Sequence, residues 1–387
     1  MSTASLRLDR RSNMPALLAW FIVAMVVVSL FTTIFQPDLG VMDVPRLSLC
    51  LVILAIAGVR YELGFMRNKV GDIVLGLVTA IAAWLLISTV SVHVGQAGIG
   101  FWALTAATWA AAWLFVERLA HWSLTSPLSS RLVSLAIPAI FGITLLVLWE
   151  LVVTGAGQPG QGISNALLPS PSEIWARLIN SGPTLWKDFQ QTFLKAVLIG
   201  YLIGCGSAFV IAILVDRVPF LRRGLLPIGN LVSALPIIGV APIMVMWFGF
   251  DWPSKAAVVI IMTFFPMLVN TVSGLAASDA MQRDLMRTYA SGYWQTLVKL
   301  RLPMAMPFIF NALKINTTLA LIGAIVAEFF GSPTAGMGFR ISTAVGSMDL
   351  DLVWAEITVA ALAGMLSYGA LTLLERAVTF WHPSVRG

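Results

Sequence analysis

The chain has 387 residues, of which 58% are hydrophobic and 11% charged, and its mean hydropathy is +0.89. Because a soluble domain carries about 25% charged residues, these values exclude a water-soluble globular fold and indicate a polytopic membrane protein. The net charge of +6 raises the question of nucleic acid, but basic residues of a membrane protein must first be placed relative to the bilayer. Cys50 and Cys205 both lie in apolar runs, so we expect no disulfide framework.

Ten segments approach the roughly 20 apolar residues that a bilayer span requires. The first, residues 15–35, follows a basic leader. Its apolar run is too long for a signal peptide and no small-residue cleavage site follows, so we predict a retained helix. The short second span and the proline-rich seventh deviate most from the pattern. The predicted spans are residues 15–35, 44–59, 73–92, 97–116, 132–153, 196–215, 225–247, 256–275, 315–330 and 352–374.

The basic residues predict the orientation of these spans. If the N-terminus is cytoplasmic, 17 of the 24 Lys and Arg residues lie in inner segments and six lie in outer ones. The positive-inside rule therefore predicts that both termini are cytoplasmic. Three connections are longer than a loop requires. Residues 156–186 are predicted to be external, with a short amphipathic helix after Pro171. Residues 276–307 are predicted to be internal, and residues 331–351 external, with an irregular backbone around four glycines.

Several catalytic and nucleotide-binding motifs are absent from the sequence. It contains no G-x-x-x-x-G-K-[ST], no G-x-S-x-G and no H-E-x-x-H, and the spans hold no cluster of Ser, His or paired Asp. Three scattered histidines do not suggest a metal site. We therefore expect that this chain is not an enzyme and binds no cofactor, and that any energy comes from another subunit.

The internal connection has an amphipathic pattern from Asp284 to Leu300. Leu285, Tyr289 and Trp294 can share faces, and the Ser291-Gly292 pair permits a bend between two short helices. A surface helix with an apolar stripe binds either a groove of a partner or the membrane surface. The pattern alone leaves both interpretations open.

This segment resembles the EAA motif of ABC-importer permeases, which runs E-A-A, three residues, G, and then a stretch that closes in I-x-L-P. Counted back from Leu302-Pro303, the motif's Gly falls on Ala290, and Trp294-Gln295 match a W-Q pair of one branch. The motif's Glu falls on Asp284, and its two alanines fall on Leu285 and Met286. The departures are therefore Asp for Glu, Leu-Met for Ala-Ala and Ala for Gly.

Three further stretches resemble nitrate/sulfonate/taurine-type permeases, in family order. Leu167-Leu168-Pro169-Ser170-Pro171-Ser172-Glu173 is similar to their external L-P-S-P-x-E/D. Ala234-Leu235-Pro236 through Trp247-Phe248-Gly249 is similar to their A-L-P…W-F-G helix. Ala327-Glu328 through Gly338 is similar to their A-E…G-L-G stretch. The resemblance covers about residues 132–387.

The resemblance implies an all-α, six-span type I ABC-importer permease core at residues 132–387, with a coupling loop at 276–307. A four-span extension at 14–120 and a cytoplasmic tail at 1–13 precede it. The implied partners are ABC ATPase subunits that carry ATP and Mg²⁺, an external solute-binding protein and a second, identical or different, permease subunit. The implied location is the bacterial inner membrane, in contact with lipid and not with nucleic acid.

Two sets of candidate site residues follow. Asp284 is expected either to face the ATPase or to cap the helix start, and the coupling set is Asp284, Met286, Arg287, Ala290, Tyr293 and Trp294. Polar residues in spans either join helices or line a path, and Glu328 is either a gate or an acid that caps the glycine-rich segment after it. Pro236 and Pro242 are expected to interrupt the seventh helix. The path set is Asn230, Ser233, Pro236, Asn270 and Glu328.

The solute class stays open between nitrate, sulfonates or taurine and heterocycles such as pyrimidines or flavins. Because no fixed cation is evident within the spans, we favour an uncharged or heterocyclic solute. The alternatives are a secondary transporter, which should show repeats and coupling-ion carboxylates, a membrane enzyme, and a membrane scaffold without an ATPase.

Overall fold

The computed structural model describes residues 14–35, 39–40, 43–62, 69–125, 127–157, 168–233, 236–331 and 334–381. The predicted tail at residues 1–13 lies outside these ranges. The described residues form helices joined by turns and loops, without a β-strand, and two isolated bridges involve Phe35. The all-α polytopic fold expected from hydropathy is therefore confirmed.

The chain divides into two compact units, Met1–Ile174 and Trp175–Gly387. The described helices of the first unit are α1 (Met14–Phe31), α2 (Pro45–Glu62), α3 (Lys69–Val90), α4 (Ile99–Thr125) and α5 (Pro127–Ala156). Helix α4 is the central element, because α1, α3 and α5 all pack against it. Its buried face alternates large residues such as Phe101 and Leu104 with Ala107 and Ala111, and the small residues allow neighbouring helices to approach closely. The core boundary predicted at residue 132 stays a prediction.

A 36-residue helical stretch, Gly182–Arg217, leads the second unit and is called the long helix below. It comprises α7 (Gly182–Phe189), a π-helical segment (Gln190–Val197) and α8 (Leu198–Arg217), and α6 (Pro171–Asn180) precedes it. The helices that follow are α9 (Pro219–Ser233), α10 (Ile237–Phe248), α11 (Trp252–Ala276), α12 (Ala280–Thr288), α13 (Tyr293–Thr296), a π segment (Leu297–Arg301), α14 (Leu302–Phe329), α15 (Met337–Gly346) and α16 (Leu350–Val378).

Helices α8, α11 and α14 form the centre of this unit. At Gly200, an added Cβ would lie 2.7 Å from the Cβ of Val259, and at Gly204 it would lie 3.1 Å from the Cα of Ile260. The two glycines of the G-x-x-x-G pattern thus allow α8 and α11 to pack backbone against backbone.

Among the described residues, eight helices have the length and hydropathy of a membrane span, and two shorter apolar helices are Pro45–Val59 and Ile238–Phe248. The short ones correspond to the second and seventh predicted spans. The seventh is broken where α9 ends at Ser233 and Pro236 takes an extended conformation before α10. Pro242 was expected to interrupt this helix too. It lies inside α10 instead, where it removes one hydrogen bond without ending the helix.

Candidate functional site

Two polar clusters lie at opposite ends of the long helix. The first is called the Asp216 cluster and comprises Asp216, Arg217, Tyr293 and Arg301. The second is called the Asp188 cluster and comprises Asp188, Thr192, Lys255, Glu328, Arg340 and Glu356. The predicted coupling residues lie beside the first cluster, in residues 280–301, which we call the loop segment.

Helix α12 has no buried residue and begins at an Asp279 cap, whose carboxylate accepts a hydrogen bond from the backbone N–H of Met281 at 3.3 Å. Met281, Leu285 and Tyr289 are all exposed at a spacing of four residues, so they form one apolar face. Asp284 lies in the middle of the helix, where it pairs with Arg287 at 3.2 Å. Asp284 therefore does not cap the helix start, because Asp279 occupies that position.

The end of α12 explains why the family motif has a glycine at this position. Ala290 has φ of 52°, in the left-handed region that glycine occupies without cost. The N–H of Ala290 donates to the carbonyl of Arg287 at 2.9 Å, and the N–H of Ser291 donates to that of Met286 at 3.0 Å. These two bonds form a Schellman motif. The Schellman motif at the end of α12 therefore produces the bend that was predicted at Ser291-Gly292. Its strained residue is Ala290.

The Asp216 cluster joins the loop segment to the long helix. Arg301 holds Asp216 with two parallel hydrogen bonds, 2.7 Å from Nη1 to Oδ2 and 2.6 Å from Nη2 to Oδ1. The hydroxyl of Tyr293 donates to the same carboxylate at 3.1 Å. The guanidinium of Arg217 lies 5.4 Å from the ring centre of Tyr293 and 5.9 Å from that of Trp294, within cation–π range. Tyr293 and Trp294 are thus fixed at the base of the segment.

The Asp188 cluster is built from buried carboxylates and backbone N–H groups. Asp188 accepts from the N–H of Gly336 and from Nε of Arg340, both at 2.7 Å. Glu328, with 2% of its surface exposed, accepts from the Thr192 hydroxyl and from the N–H of Gly338, also both at 2.7 Å. The hydrogen bond to Asp188 raises the pKa of Arg340 above its ordinary value.

The segment after Glu328 was expected to be irregular around its glycines, but it contains the ten-residue helix α15. Gly336 has φ of 135°, and a Cβ there would lie 2.6 Å from the Glu328 carboxylate. Glycine is required because the carboxylate must approach the N-terminus of α15 closely. Of the two roles considered for Glu328, the geometry matches the cap of the glycine-rich segment.

Lys255 and Glu356 complete this cluster. The buried amine of Lys255 donates to the backbone carbonyls of Phe250, Asp251 and Gly331, so it joins the loops after α10 and α14. Both carboxylate oxygens of Glu356 are buried, and its carboxyl group lies next to that of Asp188. Sequence reasoning missed Asp188, Thr192 and Asp216. The only feature of the sequence that could have indicated them is that each is a polar residue at the edge of an apolar run.

The path candidates are not brought together. Glu328 lies at the end of α14, whereas Asn270 lies toward the opposite end of the unit and donates to the carbonyl of Pro266 at 2.8 Å. Pro236 is exposed between α9 and α10. Asn230 and Ser233 belong to α9, but their side chains lie outside the described part. Asn316 is buried and donates to the carbonyl of Thr263 at 2.8 Å and to Cys205 Sγ at 3.2 Å, so it joins helices.

The Ser170-Pro171-Ser172-Glu173 motif forms a helix cap. The N–H of Ser170 donates to Glu173 Oε2 at 2.7 Å, and the N–H of Glu173 donates to Ser170 Oγ at 3.3 Å, which is a capping box with proline at the first helical position. Glu150 accepts from the N–H and the hydroxyl of Ser172 at 2.9 and 2.7 Å. The motif therefore fixes the start of α6. Leu167, Ala234 and Leu235 of the matched stretches lie outside the described residues.

Comparison with known proteins gives consistent matches. Residues 196–380 match a family described as binding-protein-dependent transport system inner membrane component. The formylaminopyrimidine transport permease protein of Halalkalibacterium halodurans is 33% identical over 249 residues, which are 63% of this chain and 95% of that protein. The riboflavin transport system permease protein of Chloroflexus aurantiacus is 32% identical over 62% of this chain and 88% of its own. The taurine transport system permease protein of Escherichia coli is 27% identical, with 66% and 93% covered.

Proposed function

This chain belongs to the binding-protein-dependent transport system inner membrane components, the permease family of ABC importers, and we propose that it forms the path for a small solute delivered by an external binding protein. A separate ATPase supplies the energy and carries ATP and Mg²⁺. The chain itself contributes no catalytic residue and binds no cofactor. The membership makes it a multi-pass inner-membrane protein.

We propose that the loop segment contacts the ATPase. The observation that carries this proposal is the exposed apolar face of α12, next to the fixed residues Tyr293 and Trp294. Leu285 and Tyr289 present apolar surface that no described residue of the chain covers, and such a helix fits a groove on a partner. In the proposal, Asp284, Met286, Arg287, Ala290, Tyr293 and Trp294 form the ATPase contact. Asp284 and Arg287 have 69% and 81% of their side chains exposed, so both can form pairs across that interface.

The proposed orientation places the loop segment and both termini in the cytoplasm. The charge bias of the connections supports this orientation. In the proposal, the four-span extension at 14–120 leaves the orientation of the core at 132–387 unchanged, because four is an even number. The Asp188 cluster then lies on the external side, where the binding protein releases the solute.

The proposed path runs beside the break between α9 and α10. A break in a spanning helix frees backbone groups that must face protein or water, which supports Pro236, with Asn230 and Ser233 before it, as part of the wall. Asn270 contributes farther along, and Glu328 caps α15, which is the proposed gate. The exposed residues Ile238, Ile243 and Trp247 of α10 present a surface that a second permease subunit would cover, identical or not.

The proposed solute is a small, uncharged or heterocyclic compound. Lys314 pairs with Glu375 at 2.8 Å, and Lys255 is engaged by three carbonyls, so neither lysine is available to an anion. The riboflavin and formylaminopyrimidine permeases among the relatives support the same class, whereas the taurine permease supports a sulfonate.

Purification of the tagged full-length chain from its native membrane tests the function. We expect a stoichiometric ATPase to copurify and its ATP hydrolysis to rise when the external binding protein is added with solute. Replacement of Leu285 and Tyr289 by Asp should release the ATPase, while the matched replacement of Trp175 and Ile179, exposed at the same spacing on α6, should not. Solute transport that follows an ion gradient without an ATPase would favour a secondary transporter, and the absence of both activities would favour a scaffold.

A further inference from the structure

We propose that Asp216 is the positioning residue through which movement of the loop segment reaches the long helix. This inference rests on the proposed function, because it assumes that a partner ATPase displaces the loop segment. In this proposal, the carboxylate of Asp216 mechanically connects the loop segment, where the ATPase would bind, to the Asp188 cluster at the other end of the long helix.

The polypeptide chain does not join the loop segment directly to the long helix. The loop segment continues directly from α11 and into α14, so a displacement reaches these two helices along the chain. The long helix is different, because Asp216 is 77 residues from Tyr293 and 85 residues from Arg301. Movement reaches this helix through non-covalent contacts, which include the close packing of α8 on α11 at Gly200 and Gly204 and the side-chain contacts of Asp216.

Asp216 makes the most directional of these contacts. Its two oxygens are held by the planar fork of Arg301 and by the Tyr293 hydroxyl, and Nε of Arg301 also donates to the carbonyl of Leu275 at 3.0 Å. A bidentate pair fixes orientation as well as distance. Leu297 also packs in the core that contains Val215, but an apolar contact has no preferred direction and permits sliding. The Asp216–Arg301 pair therefore connects the ends of α8 and α11 to the start of α14.

The environment of this pair favours a persistent tie. Only 4% of the Asp216 side chain and 16% of the Arg301 side chain are exposed, so water competes less than it does at a surface ion pair. By contrast, the Arg287–Asp284 pair on α12 is exposed at both partners and is replaceable by water. The cation–π contacts of Arg217 add a second, neighbouring connection to the same two aromatic residues.

The long helix can carry the movement to its other end. At 1.5 Å per residue, its 36 residues extend about 54 Å. Its opposite end carries Asp188 and Thr192, which bind the N-terminus of α15 through Gly336 and Met337. A displacement at Asp216 therefore arrives at the segment that follows Glu328.

Hydrogen exchange of the full complex with its ATPase tests this inference, with the nucleotide-free state compared with the state trapped by ATP and vanadate. In the wild type, exchange should change in the loop segment, in the long helix and in α15. In Asp216→Asn, the change in the loop segment should remain and the changes in the long helix and α15 should fall at least tenfold. Asp216→Glu, which keeps the carboxylate, should restore part of them.

Glu375→Gln is the matched control, because it removes the Lys314–Glu375 pair of the same unit, whose side chains are 16% exposed at both partners. It should behave as the wild type. Three results would each overturn the inference. The exchange changes in Asp216→Asn could equal those of the wild type, or Glu375→Gln could lose them to the same extent. The third is that exchange in the long helix does not change in the wild type.

A second measurement separates this inference from the proposed function. In the isolated chain, Asp216→Asn should raise the amide exchange rate of residues 293–301 about tenfold. An unchanged rate would show that Asp216 does not hold the loop segment, whether or not an ATPase binds. If no ATPase binds the wild type, the proposed function fails while this measurement still decides the tie.

Discussion

Each end of the long helix holds an Asp–Arg ion pair, but the two clusters are built in different ways. At Asp216, side chains bind side chains, and the adjoining loop segment has few buried residues. At Asp188, buried carboxylates bind backbone N–H groups of a glycine-containing turn, and five polar side chains are almost completely buried. A connection made by a few side chains can be displaced without unfolding its surroundings, whereas buried carboxylates on backbone donors hold one geometry.

The difference has energetic consequences that mutations can measure. Removal of one partner from a buried charge pair costs about 3–5 kcal/mol, whereas one hydrogen bond contributes about 0.5–1.5 kcal/mol. Loss of Asp188 should therefore mainly affect stability, whereas loss of one hydrogen bond at the Asp216 end, such as that of Tyr293, should mainly affect coupling.

The largest effect is expected for Asp188→Ala. It leaves Arg340 and the N–H of Gly336 without their acceptor, so we expect the free energy of unfolding to fall by about 3–5 kcal/mol, measured by denaturation in detergent. Asp349→Ala is the control, because it removes the pair with Arg177, which is about one-third exposed at both partners, and should cost less than about 1 kcal/mol. Equal stability of the two variants would contradict the stabilising role of the Asp188 cluster.

Gly336→Ala is expected to destabilise next most. Its φ of 135° and the 2.6 Å approach of a Cβ to Glu328 should together cost about 1–3 kcal/mol, seen as a lower midpoint of thermal unfolding. Gly346→Ala is the matched control, because a Cβ there meets open space. A wild-type midpoint for Gly336→Ala would contradict the close approach of Glu328.

Tyr293→Phe should have a smaller effect on stability. It removes one hydrogen bond to Asp216 and leaves the Arg301 fork intact, so we expect a loss of about 0.5–1.5 kcal/mol. ATP hydrolysis by the complex should persist, with less of the exchange change transmitted to the long helix. Tyr368→Phe provides the comparison, since Tyr368 contacts Lys314 through its ring and phenylalanine keeps that contact.

Ala290→Gly should have the smallest effect, and of opposite sign. Glycine removes the left-handed strain of roughly 1–2 kcal/mol but adds freedom to the unfolded chain, for a net gain of about 0.5–1 kcal/mol in the stability of the loop segment. Slower local hydrogen exchange at residues 285–292 would show it. Ala361→Gly, in an ordinary helical position, should instead destabilise by a similar amount, and a gain there would contradict the strain at Ala290.

The sequence predicted the spans because an apolar run is a local property. Even the two weakest spans were weak for physical reasons, since one is short and the other is broken at Pro236. The loop segment was also predictable, because Leu285, Tyr289 and Ala290 lie within six residues of one another and form a local pattern. Locating the helix cap at Asp279 required the structure, because Asp279 and Asp284 are both chemically suitable.

The Asp188 cluster could not be predicted, because its partners are distant in the sequence. Asp188 and Thr192 precede the predicted sixth span, so they appeared to be ordinary loop residues. Only the continuation of the helix back to Gly182 brings them against Gly336 and Glu328. Asp216 similarly appeared to be a charge that ends a span, and its role depends on Arg301, which the family motif does not specify.

The long-range pairing at the Asp188 cluster also constrains biosynthesis. Lys255 has an acceptor at Gly331, 76 residues later, and Asp188 has donors at Gly336 and Arg340, 148 and 152 residues later. Until the ribosome has supplied the chain through Arg340, Asp188 lacks these donors, and Lys255 has only the nearby carbonyls of Phe250 and Asp251 as acceptors. A nascent chain that stops before Arg340 therefore leaves the carboxylate of Asp188 without its cationic partner.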